Sequence, residues 1–431
     1  MKKLIAISVV FALIAGAAFA QTANGISVNG WGRGVFAPLV NVGAQEKYVD
    51  SDGNEVAAKD AQSFAGAGVT WGGPQVRTDF RINGDAEFLG FQIQLGEGNR
   101  DNWGSNVNTI DIMDNAYIWA KPFSNDILKL YVGKFDVDNL RGKLGTDTGF
   151  ENFVLNPMDE DKIFNRFRAG DGFMLSSAPI DGLFIGLRVN GALWNWGGPA
   201  SGTKLIDAYR FLQFGAGYDI ADIGHIRAQW VGGWFGDIGG DKLKELGNKF
   251  DKGPDLGNTA RIEAAFALTA VQNLLIDLGF KFWLPLSEED AKATNGVEVG
   301  LGARFRADAF QIVAQIHSNF ASYTRFTSDD KQANGLGLAV NLIPTYDLDF
   351  ATLGASIGLK VGGKAKAPNG DAIDKSNTMQ VGFGAFAQKG LGSGSVKAGL
   401  AYTLAPSTGG ETNNGTSGVF SIPIILEYAF F

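Results

Sequence analysis

The chain has 431 residues with a formal net charge of −8, 60 glycines, 32 phenylalanines, 12 prolines and no cysteine. The lack of cysteine excludes disulfides, cysteine-ligated metals and thiol catalysis. The negative charge argues against nucleic acid as a partner, because such partners are bound mainly through Lys and Arg. After the first twenty residues no run of roughly 18 apolar residues occurs, so that part is predicted to have no transmembrane helix.

Residues 1–20 are predicted to be a secretory signal peptide. Two lysines open this segment, residues 4–15 are apolar, and Ala18 and Ala20 flank Phe19 in the small-residue pattern of a cleavage site. We therefore expect the chain to be exported and cleaved after Ala20. The rest, residues 21–431, is expected to form one domain.

Alternation of apolar and polar residues dominates the rest of the chain. It is clearest in residues 76–82, 183–190, 276–284, 296–306 and 396–402. Successive side chains of a β-strand point to opposite faces, so these segments are predicted to be strands with one apolar and one polar face. Alternation alone does not separate a membrane barrel from a soluble sandwich.

The lengths of the predicted connections make that distinction, because short and long ones alternate strictly along the chain. The short ones are 83–84, 121–126, 177–182, 220–222, 271–272, 307–308, 344–347 and 389–394. The long, polar ones are 37–63, 96–110, 136–165, 194–207, 236–257, 286–294, 320–333, 362–377 and 405–418. Short turns at one end and long loops at the other are typical of outer-membrane barrels. The sequence therefore predicts an all-β fold, a transmembrane antiparallel up-and-down β-barrel.

Seventeen connections require about 18 strands. That count treats residues 64–82 as one long strand bent at Gly72-Gly73-Pro74, since glycine and proline inside a strand often accompany a bend or bulge. Short strands such as 127–135 leave 16 strands as the alternative.

Strand parity assigns charged residues to the interior and aromatic residues to the strand ends. The charges expected to point inward include Asp79, Arg188, Arg227, Arg261, Glu263, Asp277, Lys281, Glu298, Arg304 and Arg306. The aromatics expected to form girdles at the two lipid–water interfaces are Trp31, Trp119, Trp194, Trp196, Tyr209, Tyr218, Trp234 and Tyr402.

The end of the chain resembles the assembly signal of bacterial outer-membrane proteins. Apolar residues alternate from Ile422 to Phe430, and the chain stops at Phe431. The resemblance implies recognition by the barrel assembly machinery through Phe430-Phe431 and a place among outer-membrane lipids. The register differs, because the last aromatic of that signal usually shares the parity of the apolar face, and here Phe430 does so.

The longest predicted connection, 136–165, joins the fifth and sixth strands and carries seven carboxylates against three cations. At this point the chain resembles the general bacterial porins, whose third loop joins the same two strands and folds into the lumen. The resemblance implies a porin: a water-filled channel for passive diffusion of small hydrophilic solutes and ions. It implies no enzymatic activity, cofactor or metal, and it admits a homotrimer.

An acidic loop facing an arginine-rich wall would create a transverse field across a wet constriction, which filters solutes by size and charge. The expected constriction residues are Asp136, Asp138, Asp147 and Glu151 on the loop side, and Arg77, Arg81, Arg166 and Arg168 on the wall side.

The resemblance to general porins has two departures. The loop lacks the Pro-Glu-Phe-Gly-Gly type of sequence, its nearest element being Asn156-Pro157-Met158-Asp159. A count of about 18 strands is also closer to that of the sugar-specific porins, and the glycine-rich, aromatic-rich composition is similar to that of spirochaete barrel proteins. The alternatives are therefore a substrate-selective channel for sugars or fatty acids, and an adhesin or structural barrel that acts through its outer loops.

Overall fold

The computed structural model describes twenty-one stretches of the chain. They are residues 25–44, 48–49, 55–56, 60–66, 76–97, 110–137, 140–144, 150, 154, 163–164, 167–190, 212–232, 259–285, 294–319, 322–323, 333–334, 337–361, 379–404, 407–408, 411–412 and 418–430. The predicted signal peptide, 1–20, lies outside them and stays a prediction. Within these stretches no helix is long and apolar enough to cross a membrane.

The described residues form a closed antiparallel barrel of 18 strands. The strands are β1 (Ile26–Val42), β2 (Gln62–Gly66 and Val76–Asp85), β3 (Leu89–Glu97), β4 (Ile110–Ala120), β5 (Lys129–Val137), β6 (Phe167–Ser177), β7 (Leu183–Asn190), β8 (Leu212–Ile220), β9 (Gly224–Val231), β10 (Thr259–Leu268), β11 (Leu274–Pro285), β12 (Thr294–Ala307), β13 (Phe310–Asn319 and Ser322–Tyr323), β14 (Ala333–Asn334 and Gly337–Asp347), β15 (Thr352–Val361), β16 (Gln380–Leu391), β17 (Gly394–Leu404) and β18 (Gly418–Ser421 and Ile424–Phe430). Two further two-stranded pairings, Tyr48–Val49 with Glu55–Val56 and Ser407–Thr408 with Glu411–Thr412, lie outside the wall.

Strand β1 closes the barrel because it pairs on both sides. Gly30 lies opposite Phe80 of β2 and opposite Phe430 of β18. The other wall strands pair with their neighbours in sequence order, so the chain runs up and down around the ring. A closed ring leaves no unpaired strand edge. The predicted fold class and the count of 18 are confirmed, and the alternative of 16 is wrong.

The burial pattern is the reverse of that of a water-soluble protein. Arg188 and Glu263 are buried on one face of the wall, whereas Ile118, Phe282 and Leu426 on the other face are exposed. Such an apolar outer surface is stable against lipid and not against water. The inner face therefore holds the polar residues, as parity predicts. Its buried charged residues include Arg33, Asp79, Arg188, Arg227, Arg261, Glu263, Asp277, Lys281, Glu298 and Lys397.

The short turns contain residues that tolerate a left-handed backbone. The turns are 86–88, 121–128, 178–182, 221–223, 269–273, 308–309, 348–351 and 392–393. Positive φ angles occur there at Ser124, Gly182, Asp222, Asn273, Asp308 and Gly392. Glycine, asparagine and aspartate adopt this conformation at least cost, which explains why tight turns form at these places.

Two predicted short turns are wrong by several residues. Strand β2 continues through 83–84, because Asn83 faces the interior, where its amide donates to Ser27 Oγ at 3.4 Å and its carbonyl accepts from Gln92 Nε2 at 2.7 Å. Strand β14 likewise continues through 344–347. There the ladder to β15 is interrupted beside Pro344, which has no N–H to donate.

The two segments of β2 belong to one wall strand, as predicted. Both pair with β1: Ala37 lies opposite Gly66, and Gly34 lies opposite Val76. Residues 67–75, between the two segments, lie outside the described residues, and so does the predicted bend at 72–74. The strand is longer than the predicted 64–82.

The aromatic girdle prediction is partly wrong. Trp119 is only 6% exposed and lies on the inner face, directly opposite Tyr131 of β5. Trp31 of β1 lies directly opposite the inward Asp79 of β2, so it also faces the interior, and Arg33 lies over its ring at 5.9 Å. Tyr402 packs with the outward Phe383 at 5.3 Å between ring centroids, as a lipid-facing aromatic should. The predicted girdle residues Trp194, Trp196, Tyr209 and Trp234 lie outside the described residues.

The two faces of the wall should differ in their tolerance of charge. Phe280 lies near the centre of β11 and is exposed on the outer face, whereas its neighbour Lys281 is buried on the inner face. We expect Phe280→Arg to lower the free energy of unfolding by about 2–4 kcal/mol, because the guanidinium would enter lipid. The matched control, Lys281→Arg, keeps a cation on the inner face and should cost much less. Chemical denaturation in lipid vesicles measures both, and equal costs would contradict a lipid-facing outer wall.

Candidate functional site

A ladder of polar side chains crosses the inner wall from β7 to β10. Arg188 Nη1 donates to Gln213 Oε1 at 3.3 Å, and Gln213 Nε2 donates to Gln229 Oε1 at 3.0 Å. Gln229 Nε2 then donates to Glu263 Oε2 at 2.8 Å. Each residue lies on the strand next to the previous one, so inter-strand register places donor beside acceptor. A neutral hydrogen bond contributes about 0.5–1.5 kcal/mol, whereas an unpaired buried amide costs about 1–3 kcal/mol, so the main effect of the ladder is to satisfy buried polar groups.

Charges of alternating sign continue the ladder from β10 to β12. Glu263 lies directly opposite Lys281, and Lys281 lies directly opposite Glu298. On β10 itself, Arg261 Nε lies 3.3 Å from Glu263 Oε1. On β13, His317 Nε2 lies 3.5 Å from Glu298 Oε2. Opposite charges on neighbouring strands stabilise each other across the sheet, so the wall here carries charge without a large excess of either sign.

Apolar residues between β5 and β6 pack on this polar wall. Within the 138–166 segment, which joins the two strands, six described side chains are almost completely buried. They are Leu140, Leu144, Phe150, Val154, Ile163 and Phe164. Their neighbours on the wall are inward-facing glycines. These are Gly217 on β8, Gly279 on β11, Gly302 on β12, Gly382 and Gly384 on β16, and Gly399 on β17, which we call the glycine groove.

The glycine groove is needed because the contact is too close for a side chain. A Cβ on Gly279 would lie 2.0 Å from the carbonyl oxygen of Ile163, and a Cβ on Gly382 would lie 2.4 Å from that of Val154. A Cβ on Gly302 would lie 2.2 Å from Leu144 Cδ2. Phe150 packs on Phe386, with ring centroids 4.9 Å apart. The described residues of the segment thus lie directly on the backbone of the wall.

One ion pair on the wall contacts the 138–166 segment in three ways. Arg227 of β9 and Asp277 of β11 form a salt bridge, and both side chains are fully buried. Arg227 Nη1 also donates to the carbonyl of Arg141 at 2.7 Å, and the backbone N–H of Lys143 donates to Asp277 Oδ2. The guanidinium lies over the ring of Phe164 at 5.3 Å. The pair, which we call the Arg227–Asp277 anchor, therefore binds the segment near both of its ends.

The predicted constriction residues are distributed over several elements. Asp136 lies in β5 and not in the connection, because β5 extends to Val137, and it is directly opposite Arg168 of β6. Arg77 lies on β2 opposite Arg33 of β1. The remaining loop-side residues, Asp138, Asp147 and Glu151, and Arg166 on the wall side lie outside the described residues.

Arg81 of β2 lines a cavity of about 730 Å³ with Trp31, Arg33, Ser395 and Glu427. Arg33 Nε donates to Glu427 Oε1 of β18 across the β1–β18 junction. Two arginines and one carboxylate therefore line this cavity, on the inner wall where β1 and β18 close the barrel. Neither Arg33 nor Glu427 was predicted as a site residue, although both have inward parity on strands recognised from the sequence.

An aromatic cluster lines β4 and β5 on the inner face. Tyr117 and Tyr131 have ring centroids 5.5 Å apart, and Phe135 lies 6.4 Å from Tyr117. Lys129 Nζ lies 4.5 Å from the ring of Trp119 and 4.8 Å from that of Tyr131. Arg188 lies over Phe135 at 5.3 Å, so the cluster is continuous with the polar ladder.

Comparison with known proteins finds likeness in fold alone. No family model matches the sequence, and no curated protein matches it. An anion-selective porin from Comamonas acidovorans is 13% identical, with 94% of this chain and 100% of that chain covered and a TM-score of 0.46. OmpF of Salmonella typhi, in complex with daunomycin, is 11% identical, with 95% of this chain and 99% of that chain covered and a TM-score of 0.46. OccK11 (OpdR) of Pseudomonas aeruginosa is 11% identical, with 94% of this chain and 96% of that chain covered and a TM-score of 0.49.

Proposed function

We propose that the protein is a porin of a bacterial outer membrane, through which small hydrophilic solutes and ions diffuse passively. The observation that carries this proposal is the polarity of the barrel: a closed wall with apolar residues outside and paired charges inside. Polar side chains on the inner wall replace water around a hydrated solute, which an apolar lumen would not do. Passive diffusion requires no catalytic residue, cofactor or metal.

We further propose that the 138–166 segment narrows the channel. Its described residues contact inward-facing positions on β8, β11, β12, β16 and β17, strands that lie far apart around the ring. A segment in that position restricts the cross-section available to solutes. The acidic residues predicted on its side are Asp136, Asp138, Asp147 and Glu151, and the basic residues predicted on the wall side are Arg77, Arg81, Arg166 and Arg168.

The location and partners follow from the same proposal. Residues 1–20 direct export and are cleaved after Ala20. The barrel assembly machinery recognises the terminal Phe430-Phe431, and outer-membrane lipid surrounds the finished wall. A homotrimer is the proposed assembly.

The inward aromatic cluster favours a second candidate function, a substrate-selective channel. The ring of Tyr117 on the inner wall, half-buried beside Tyr131, is the kind of surface on which a sugar face packs. Such a channel would bind its solute, so that transport saturates, whereas a general porin gives a flux proportional to concentration.

Liposome swelling distinguishes the two candidate functions. For a general porin we expect swelling rates that fall steadily with solute size and rise linearly with solute concentration. A rate that saturates for one sugar, and that is reduced by Tyr117→Ala, would support the substrate-selective channel instead. The same rates as in empty liposomes for every solute would contradict both.

Ion selectivity tests the proposed constriction. We expect the combined change Asp136→Asn, Asp138→Asn, Asp147→Asn and Glu151→Gln to shift the reversal potential toward anions, because carboxylates near the path attract cations. Replacing Arg77, Arg81, Arg166 and Arg168 with glutamine should shift it toward cations. The measurement belongs at about 1 M salt, where the Debye length is about 3 Å and only charges close to the path act.

The control for this test changes exposed carboxylates on two short turns, Asp222→Asn and Asp349→Asn. These short turns lie at the end of the barrel opposite the end at which β5 leads into the 138–166 segment, so the reversal potential at high salt should not move. If the loop-side variant behaves like this control, residues 136–165 do not form the constriction.

A further inference from the structure

We infer that the glycine groove and the Arg227–Asp277 anchor together form a dedicated seat for the 138–166 segment, and that Arg227 and Asp277 are the residues that position the constriction. The consequence for conduction rests on the proposed channel function. The contacts of the seat do not depend on it.

The glycine groove fits the main chain of the segment and not only its side chains. At Gly279 and Gly382, the atom nearest to an added Cβ is a carbonyl oxygen of the segment. A backbone atom cannot rotate away as a flexible side chain can, so a larger residue at these positions displaces the segment itself. Glycine at these inward positions is thus required by the docked segment rather than by the strand.

The anchor also contacts mainly backbone. Asp277 accepts from Arg227 through Oδ1 and from the N–H of Lys143 through Oδ2. Arg227 Nη2 binds Asp277, and its Nη1 binds the carbonyl of Arg141. The two contacts use two separate nitrogens of the guanidinium, whereas all donors of a lysine lie on its single Nζ, so lysine does not reproduce both contacts.

Small residues on β10 make this arrangement possible. Arg227 lies opposite Ala265, and Asp277 lies opposite Ala267, so the ion pair spans β10 above two alanine side chains. Arg141 and Lys143 belong to the limb that leaves β5, and Phe164 belongs to the limb that returns to β6. One ion pair therefore holds both limbs against the wall, which keeps the channel cross-section constant while solutes pass.

Disulfide trapping tests the seat directly, because the natural chain has no cysteine. A Cβ on Gly302 would lie 3.3 Å from Leu144 Cβ, close to the spacing of a disulfide. We expect Leu144→Cys with Gly302→Cys to form a crosslink in the membrane, seen as a mobility shift that reductant reverses.

The matched control pairs Leu144→Cys with Arg306→Cys. Arg306 lies on the same strand and the same face as Gly302 but about 13 Å further along, so no crosslink should form. Equal crosslinking at both positions, or none at Gly302, overturns the seat.

The anchor is tested in the same assay. We expect Asp277→Ala to reduce crosslinking between residues 144 and 302, because the segment loses its bond at Lys143. Asp219→Ala removes an exposed carboxylate that pairs with His225, and it should leave the yield unchanged. If Asp277→Ala does not fold into a barrel, Arg227→Lys keeps the charge and should still reduce the yield. Undiminished crosslinking in a folded anchor variant overturns the positioning role.

Conductance separates this inference from the channel function. A folded anchor variant should conduct with more frequent fluctuations than the parent protein. If crosslinking behaves as expected but the protein does not conduct, the seat stands and the porin function is wrong. If the protein conducts but residues 144 and 302 do not crosslink, the porin function stands and the seat is wrong.

Discussion

The structure depends on one constraint: a polypeptide that crosses a bilayer must pair every backbone N–H and C=O group within itself. Pairing between β1 and β18 satisfies this constraint, because it removes the last free edge of the sheet. Closure then divides every strand into an outer and an inner face. The alternation in the sequence follows from that division, with Phe280 against lipid and Lys281 inside.

A polar interior creates a second problem, because buried charges are costly unless they are paired. Removing one partner of a buried ion pair costs about 3–5 kcal/mol, since the other charge is left in a poor environment. The inner wall avoids this cost through neighbours on adjacent strands, as in Glu263 between Gln229 and Lys281. The Arg227–Asp277 pair is satisfied across β10, between β9 and β11, and it adds two bonds to the backbone of the 138–166 segment.

The fold was largely predictable because its signals are local. Period-two alternation depends on a single strand, and residues such as Asp222, Asn273 and Asp308 favour turns through their own backbone preferences. The errors have physical causes. Asparagine is a common turn residue, yet the side-chain amide of Asn83 hydrogen-bonds to Ser27 and Gln92 on the two neighbouring strands. Trp119 has the position of a girdle residue, yet the parity of β4 turns it inward.

The site was less predictable because it is made of contacts that are distant in sequence. A single glycine such as Gly302 gives no local sign that Leu144, more than 150 residues earlier, packs on it. Arg227 and Asp277 were correctly placed on the inner face by parity, but their joint contact with Lys143 depends on the tertiary structure. The acidic composition of 136–165 drew attention to charge, whereas the contacts observed between this region and the wall are mainly apolar side chains and backbone.

An open, water-filled lumen distinguishes the proposed channel from a closed or purely structural barrel. Single-channel recording of the purified protein in a planar bilayer measures whether the lumen is open. We expect discrete, stable conductance steps that grow in proportion to salt concentration. A barrel that inserts and is correctly folded, yet gives no conductance steps at any salt concentration, would contradict the proposed channel.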